Sequence, residues 1–238
     1  MKLKIVFTGR LIFRITVAVI CGLIYLKDSS KLDFSSENMW IGIIVVWFLI
    51  MIDFILRFIP GKMHPIGMQK HLRQNFIPTD KYNITLELSD RDREQKKKLD
   101  RGAIRVLVFY IFLNAIWAVL YILKIFRAQE LFLIMLIYYV GDMICANGFC
   151  PFKLLFMKNR CCNVCRIYNW DALMLVIPLL IVPSLYSYSL GMVAIIYTIV
   201  WEWNYLKHPE RFLEGCNEAI TCKNCKHGIC PKRFPWNK

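Results

Sequence analysis

The sequence predicts an all-α polytopic membrane protein: a bundle of six transmembrane helices, both termini cytoplasmic, with short Cys-rich metal-binding segments on the cytoplasmic side. Three observations predict it. The chain is 57% hydrophobic with a mean hydropathy of +0.43, more apolar residue than a soluble domain of 238 residues can cover. The apolar residues run in blocks, long enough for helices rising about 1.5 Å per residue to cross a hydrocarbon core of about 30 Å. Basic residues gather on one side of those blocks.

The blocks are Ile5–Leu26, Met39–Ile59, Ala103–Ile125, Leu131–Phe149, Ala172–Tyr188 and Leu190–Tyr205. Arg10 and Arg14 interrupt the first and are expected to snorkel to the near interface. Lys27-Asp28-Ser29-Ser30 follows it without a small-residue cleavage pattern, so it reads as an uncleaved signal anchor. The last two blocks are short. They predict a helical hairpin with a tight turn around Ser187–Gly191 and a first arm bent by Pro178 and Pro183. A shallow re-entrant pair is the alternative.

Orientation follows from charge. Of 31 Lys and Arg residues, only Lys27, Lys31, Lys124 and Arg127 lie on the far side of the blocks. The positive-inside rule then places both ends in the cytoplasm, in a bacterial cell membrane. The formal charge of +14 is thereby topogenic. It forms no basic stripe with interleaved aromatics, so no specific nucleic-acid partner is expected.

Residues 1–59 hold the first two helices, 60–102 a basic cytoplasmic loop and 103–149 the next two helices. A Cys-rich connection (150–171), the hairpin (172–205) and a Cys-rich tail (206–238) complete the chain. In the loop, Tyr82–Leu88 alternates apolar and polar residues as a half-buried strand does. Ser89 with Asp92 signals a helix start, and the charged run Arg91–Arg101 is expected to continue as helix into the third block. Lys96–Lys98 would face anionic lipid head groups.

Cys21 sits alone in the first block as a small packing residue; the other cysteines form two groups. The first is Cys145, Cys150, Cys161, Cys162 and Cys165. The second is Cys216, Cys222, Cys225 and Cys230. In a reducing compartment disulfides rarely persist, and clustered thiolates repel one another unless a cation holds them. Metal ligation is therefore expected, with free, palmitoylated or conditionally disulfide-bonded thiols as the alternative. The tail spacing, Cys216-x5-Cys222-x2-Cys225-x4-Cys230-Pro231, resembles the ferredoxin run C-x2-C-x2-C-x3-C-P. A second Cys-Pro pair stands at Cys150-Pro151.

The resemblance implies iron–sulfur clusters, two of 4Fe-4S type, with zinc the alternative. Neighbouring side chains point apart, so only one of Cys161 and Cys162 is expected to join Cys145, Cys150 and Cys165 at the first site. Cys216, Cys222, Cys225 and Cys230 would form the second, with His227 a possible replacement ligand.

Within the blocks, Asp53, Asp142 and Glu202 are candidate cofactor-facing carboxylates, outlining a cavity together with Asp171. Structural pairing with arginines is the competing reading, most simply Asp53 with Arg57 one turn later. No phosphate-cradling glycine loop, H-E-x-x-H, serine nucleophile elbow or haem-spaced histidine pair is present. The function expected is an integral membrane redox protein. It would pass electrons between a soluble cytoplasmic partner and a membrane site, quinone or small-molecule substrate in the lipid bilayer. A zinc-stabilised scaffold and a metal-handling transporter are the alternatives.

Overall fold

A computed structural model describes residues 2–35, 39–59, 61, 64, 66–159 and 161–224, and these are all-helical. Four helices are long and apolar enough to cross a membrane: Ile5–Lys27, Asp90–Ile122, Ala128–Asn147 and Leu185–Lys207. They lie in α1 (Lys2–Lys27), α5 (Asp90–Ile122), α6 (Ala128–Asn147) and α8 (Leu185–Lys207). Two further apolar helices are shorter, α2 (Ile41–Leu56, 16 residues) and α7 (Asp171–Leu180, 10 residues). They reach about 24 and 15 Å respectively.

The predicted hairpin forms, with its break displaced. The turn lies at residues 181–184, beside Pro183, and not at Ser187–Gly191. Ser184 caps α8 by accepting from the Ser187 N–H at 3.1 Å, and the Ser187 hydroxyl caps the Ser184 N–H in return. Ser187, the first residue of the expected turn, is thus half of the capping box of one long helix. The strand expected at Tyr82–Leu88 is also absent. Thr79 caps the Tyr82 N–H, making α4 (Asp80–Thr85), which Leu86 ends in the left-handed region at φ 52°. No partner strand lies within reach, and one capped turn satisfies the backbone locally. The Ser89 signal holds: its hydroxyl accepts from the Asp92 N–H at 3.3 Å, and α5 runs unbroken from Asp90 to Ile122.

Direction alternates through the bundle. Asn147 reaches the Phe7 carbonyl at 3.4 Å and Tyr25 reaches Glu130 at 2.7 Å, so α1 and α6 are antiparallel. α7 packs against both α6 and α8, and α2 against α8. The core between them holds Phe34, Phe132, Tyr186 and Tyr197. A smaller core at the basic end joins Leu99, Val106, Met157, Cys165, Leu213 and Cys216. That end is where the cysteine-bearing segments meet.

Candidate thiol site at the basic end of the bundle

Cys145 lies one turn from the end of α6, and Cys150 just beyond it. Pro151 fixes the first residue of a short helical turn that runs into a π-helical segment at Lys153–Met157. The Cys150 sulfur thereby accepts the Lys153 backbone N–H at 3.4 Å. Cys162 and Cys165 come from the following loop, whose Cys162–Val164 turn is 3-10 helical. The Cys162 thiol points at the Cys145 carbonyl, 3.8 Å away. All four are thiols, and all four line one cavity of about 370 Å³ between α5, α6 and α7.

Electrostatics sort these thiols. The neighbouring Cys145 side chain hydrogen-bonds to Cys150 and, with the Lys153 N–H, pulls the Cys150 thiol below its ordinary value. Burial pushes Cys162 up to about 12 and raises Cys165 as well. The adjacent pair separates as neighbouring side chains must. Cys162 faces the cavity, whereas Cys161 is buried with Val164 and Ile220.

The second predicted set is placed differently. Cys216 is 1% exposed and packs in the smaller core beside Leu213. Burial pushes its thiol up to about 12, with the Asp92 carboxylate next in importance. Cys222 is exposed. Cys225, Cys230 and His227 lie outside the described residues. Among the described residues, no three His, Cys, Asp or Glu side chains converge closely enough to hold a single metal ion.

Lys70 holds the Cys162–Cys165 loop in place. It follows a short helix, α3 (Ile66–Gln69), and is 1% exposed. Its ammonium donates to the Asn163 carbonyl at 3.0 Å and the Cys165 carbonyl at 2.8 Å. Trp201 and Phe212 each lie 5.4 Å from it, offering their ring faces. Burial draws this ammonium down to about 8. Gly67 allows the approach, because a Cβ there would stand 2.6 Å from the Asn163 Cα. Arg166, next to Cys165, locks the loop from the other side. It bonds both oxygens of Glu202, one at 2.6 Å, and lies 3.6 Å from the Tyr205 ring centroid. Trp170 also donates to Glu202 at 2.6 Å. Glu202 thus anchors Arg166 and stands outside the lining of the cavity.

Asp53 and Asp142 are paired within the bundle. Arg14 bonds Asp142 at 2.6 Å and Asp53 at 3.3 Å; Arg57 bonds Asp53 at 2.8 Å and Asp171 at 2.5 Å. Arg14 is 3% exposed, so it does not snorkel. Three carboxylates and two guanidinium groups form one network, and Asp142 and Asp171 also line the cavity. Sequence reasoning passed over Lys70 and Arg166, which look like ordinary members of basic loops.

His71, beside Lys70, is 3% exposed and packs edge-on against Tyr197. Burial lowers it from 6.5 to about 4. The unfolded chain therefore takes up a proton below about pH 6.5 that the folded chain resists. This stabilisation is complete above pH 6.5 and lost as pH falls toward 4, by up to about 3 kcal/mol. Thermal unfolding in detergent at pH 7 and pH 4.5 should show the loss, and His71→Phe should flatten it. An equal acid loss in that variant would assign the effect elsewhere.

Comparisons with family models, characterised proteins and solved structures return no match for this chain.

Proposed function

We propose an integral membrane redox protein of six crossings, both termini cytoplasmic. In it Cys145, Cys150, Cys162 and Cys165 hold an iron–sulfur cluster at the rim of the bundle cavity. The observation that carries the reading is one cavity lined by four thiols, two at the end of α6 and two from the loop that follows, its remaining wall largely apolar. A zinc ion with sulfur bonds of about 2.3 Å would draw its ligands to about 4 Å of one another.

Held by Cys145, Cys150, Cys162 and Cys165, a cluster would supply one-electron transfer between a soluble reduced carrier and an acceptor in the bundle. The chain supplies the surroundings. Lys70 and the Lys153 backbone N–H offset thiolate charge, Arg166 and Glu202 fix the loop, and the apolar wall excludes water. Counting the short α2 and α7 with the four long helices is supported by their packing: α7 folds back on α8 through the turn at residues 181–184, and α2 lies along α8.

Protein purified anaerobically in detergent should be brown and contain iron and acid-labile sulfide. Cys162→Ser should lose at least four-fifths of the iron, and Cys216→Ser, altering a core position, should keep it. Colourless protein with stoichiometric zinc would overturn the reading.

A second reading rests on the hydrogen-bonded Cys145 and Cys150 side chains. In exchange with a soluble disulfide they would form one intramolecular disulfide, while that partner takes the two electrons and two protons and leaves as two thiols. Metal-free protein that forms this one disulfide reversibly in a glutathione buffer would favour it over the cluster.

A further inference from the structure

We infer that the cavity is a lateral binding site for a lipid-soluble quinol, entered from the bilayer between α5 and α6. This deepens the redox reading and rests on it for its biological meaning, though not for its test. Near Tyr138 the two helices touch: Trp117 Nε1 donates to the Tyr138 hydroxyl at 2.9 Å, and the Tyr110 and Tyr138 rings are 5.7 Å apart. Toward the thiols they separate, and α7 closes the back of the gap. Ile137 and Ile144 line the opening and are 66% and 45% exposed. In a membrane those side chains meet acyl chains, so the way in is through lipid.

Size and lining define the occupant. About 370 Å³ falls in the range of cavities that enclose a small organic molecule. Tyr110, Tyr138, Phe149, Phe152 and Tyr168 supply aromatic walls, which suit a planar ring better than a bare acyl chain. One polar demand is unmet. Asp171 Oδ1 is buried and has no hydrogen-bond partner among the described residues, while Oδ2 is held by Arg57. A ring hydroxyl donating to Oδ1 would satisfy it; a quinone carbonyl, having no hydrogen to give, would not.

Gly141 provides the test. It lines the cavity, and a Cβ added there meets nothing within 4 Å. Gly141→Ala, Gly141→Val and Gly141→Leu should therefore fold normally, checked by unchanged or higher Tm, while filling the space stepwise. Decylubiquinol, titrated anaerobically into detergent-purified protein, should quench tryptophan emission saturably through Trp117. Affinity should fall stepwise along the series, at least tenfold for Gly141→Leu. Decylubiquinone should bind wild type at least fivefold more weakly than the quinol.

Equal quinol affinity in wild type and a folded Gly141→Leu would overturn the inference. So would palmitate displacing the quinol stoichiometrically at equal concentration, which would mark an acyl-chain groove. Iron is measured on the same samples. Iron without quinol binding defeats this inference alone, and quinol binding without iron defeats only the cluster.

Discussion

Replacing Arg57 with leucine should cost about 3–5 kcal/mol, the largest loss expected from any single substitution in the bundle. Arg57 is 4% exposed and bridges Asp53 and Asp171. Removing it leaves carboxylates buried without their cation, which is far more costly than replacing a whole pair by apolar groups. Arg14 retains Asp142 and a longer contact to Asp53, so Asp171 is the group stranded. The double variant Arg57→Leu with Asp171→Leu should accordingly recover much of the loss. Thermal unfolding in detergent measures both. A single variant as stable as wild type would show that water already reaches the network.

The second large effect is expected at Lys70. Lys70→Met keeps the length of the side chain and its place against Trp201 and Phe212. It deprives the Asn163 and Cys165 carbonyls of a charged donor, at roughly 1.5–3 kcal/mol per bond. It also removes the cation whose charge bears on Cys165. Iron bound per chain should fall at least fivefold, and Cys162 and Cys165 should become reactive toward maleimide at neutral pH. Full iron occupancy with unreactive thiols would reduce Lys70 to a bystander. Lys70→Leu offers a branched control: a similar loss in both variants ties the effect to the charge and its bonds.

The apolar blocks announced the helices because a membrane solvent leaves few alternatives to a self-satisfied backbone. The charged start of α5 was equally legible, since Ser89 and Asp92 form a local capping signal independent of tertiary context. Misreadings arose where local patterns have two meanings. Ser187–Gly191 looks like a turn in sequence, yet Ser187 belongs, with Ser184, to the cap of α8, and the rest lies inside that helix. Tyr82–Leu88 alternates like a strand, but pairing needs a neighbour and Thr79 supplies a helix cap instead.

The thiols Cys145, Cys150 and Cys165 were legible by type and grouping. The choice of Cys162 over Cys161 depended on which way the loop turns. Lys70 was hidden because its importance comes from carbonyls 93 and 95 residues away in sequence. Asp53 and Glu202 announced themselves as unusual intramembrane acids; Arg57, one turn from Asp53, was visible as its partner, whereas Arg166, 36 residues from Glu202, was not.

The length of α5 has one mechanical consequence. Its 33 residues extend about 50 Å, some 20 Å more than the hydrocarbon thickness of a bilayer. Its basic end presents Lys96–Lys98 to solution, and Tyr110 and Leu113, further along the same helix, line the cavity. A rod of this kind acts as a lever: torque applied at the basic end would be delivered, without an intervening hinge, to the wall of the cavity.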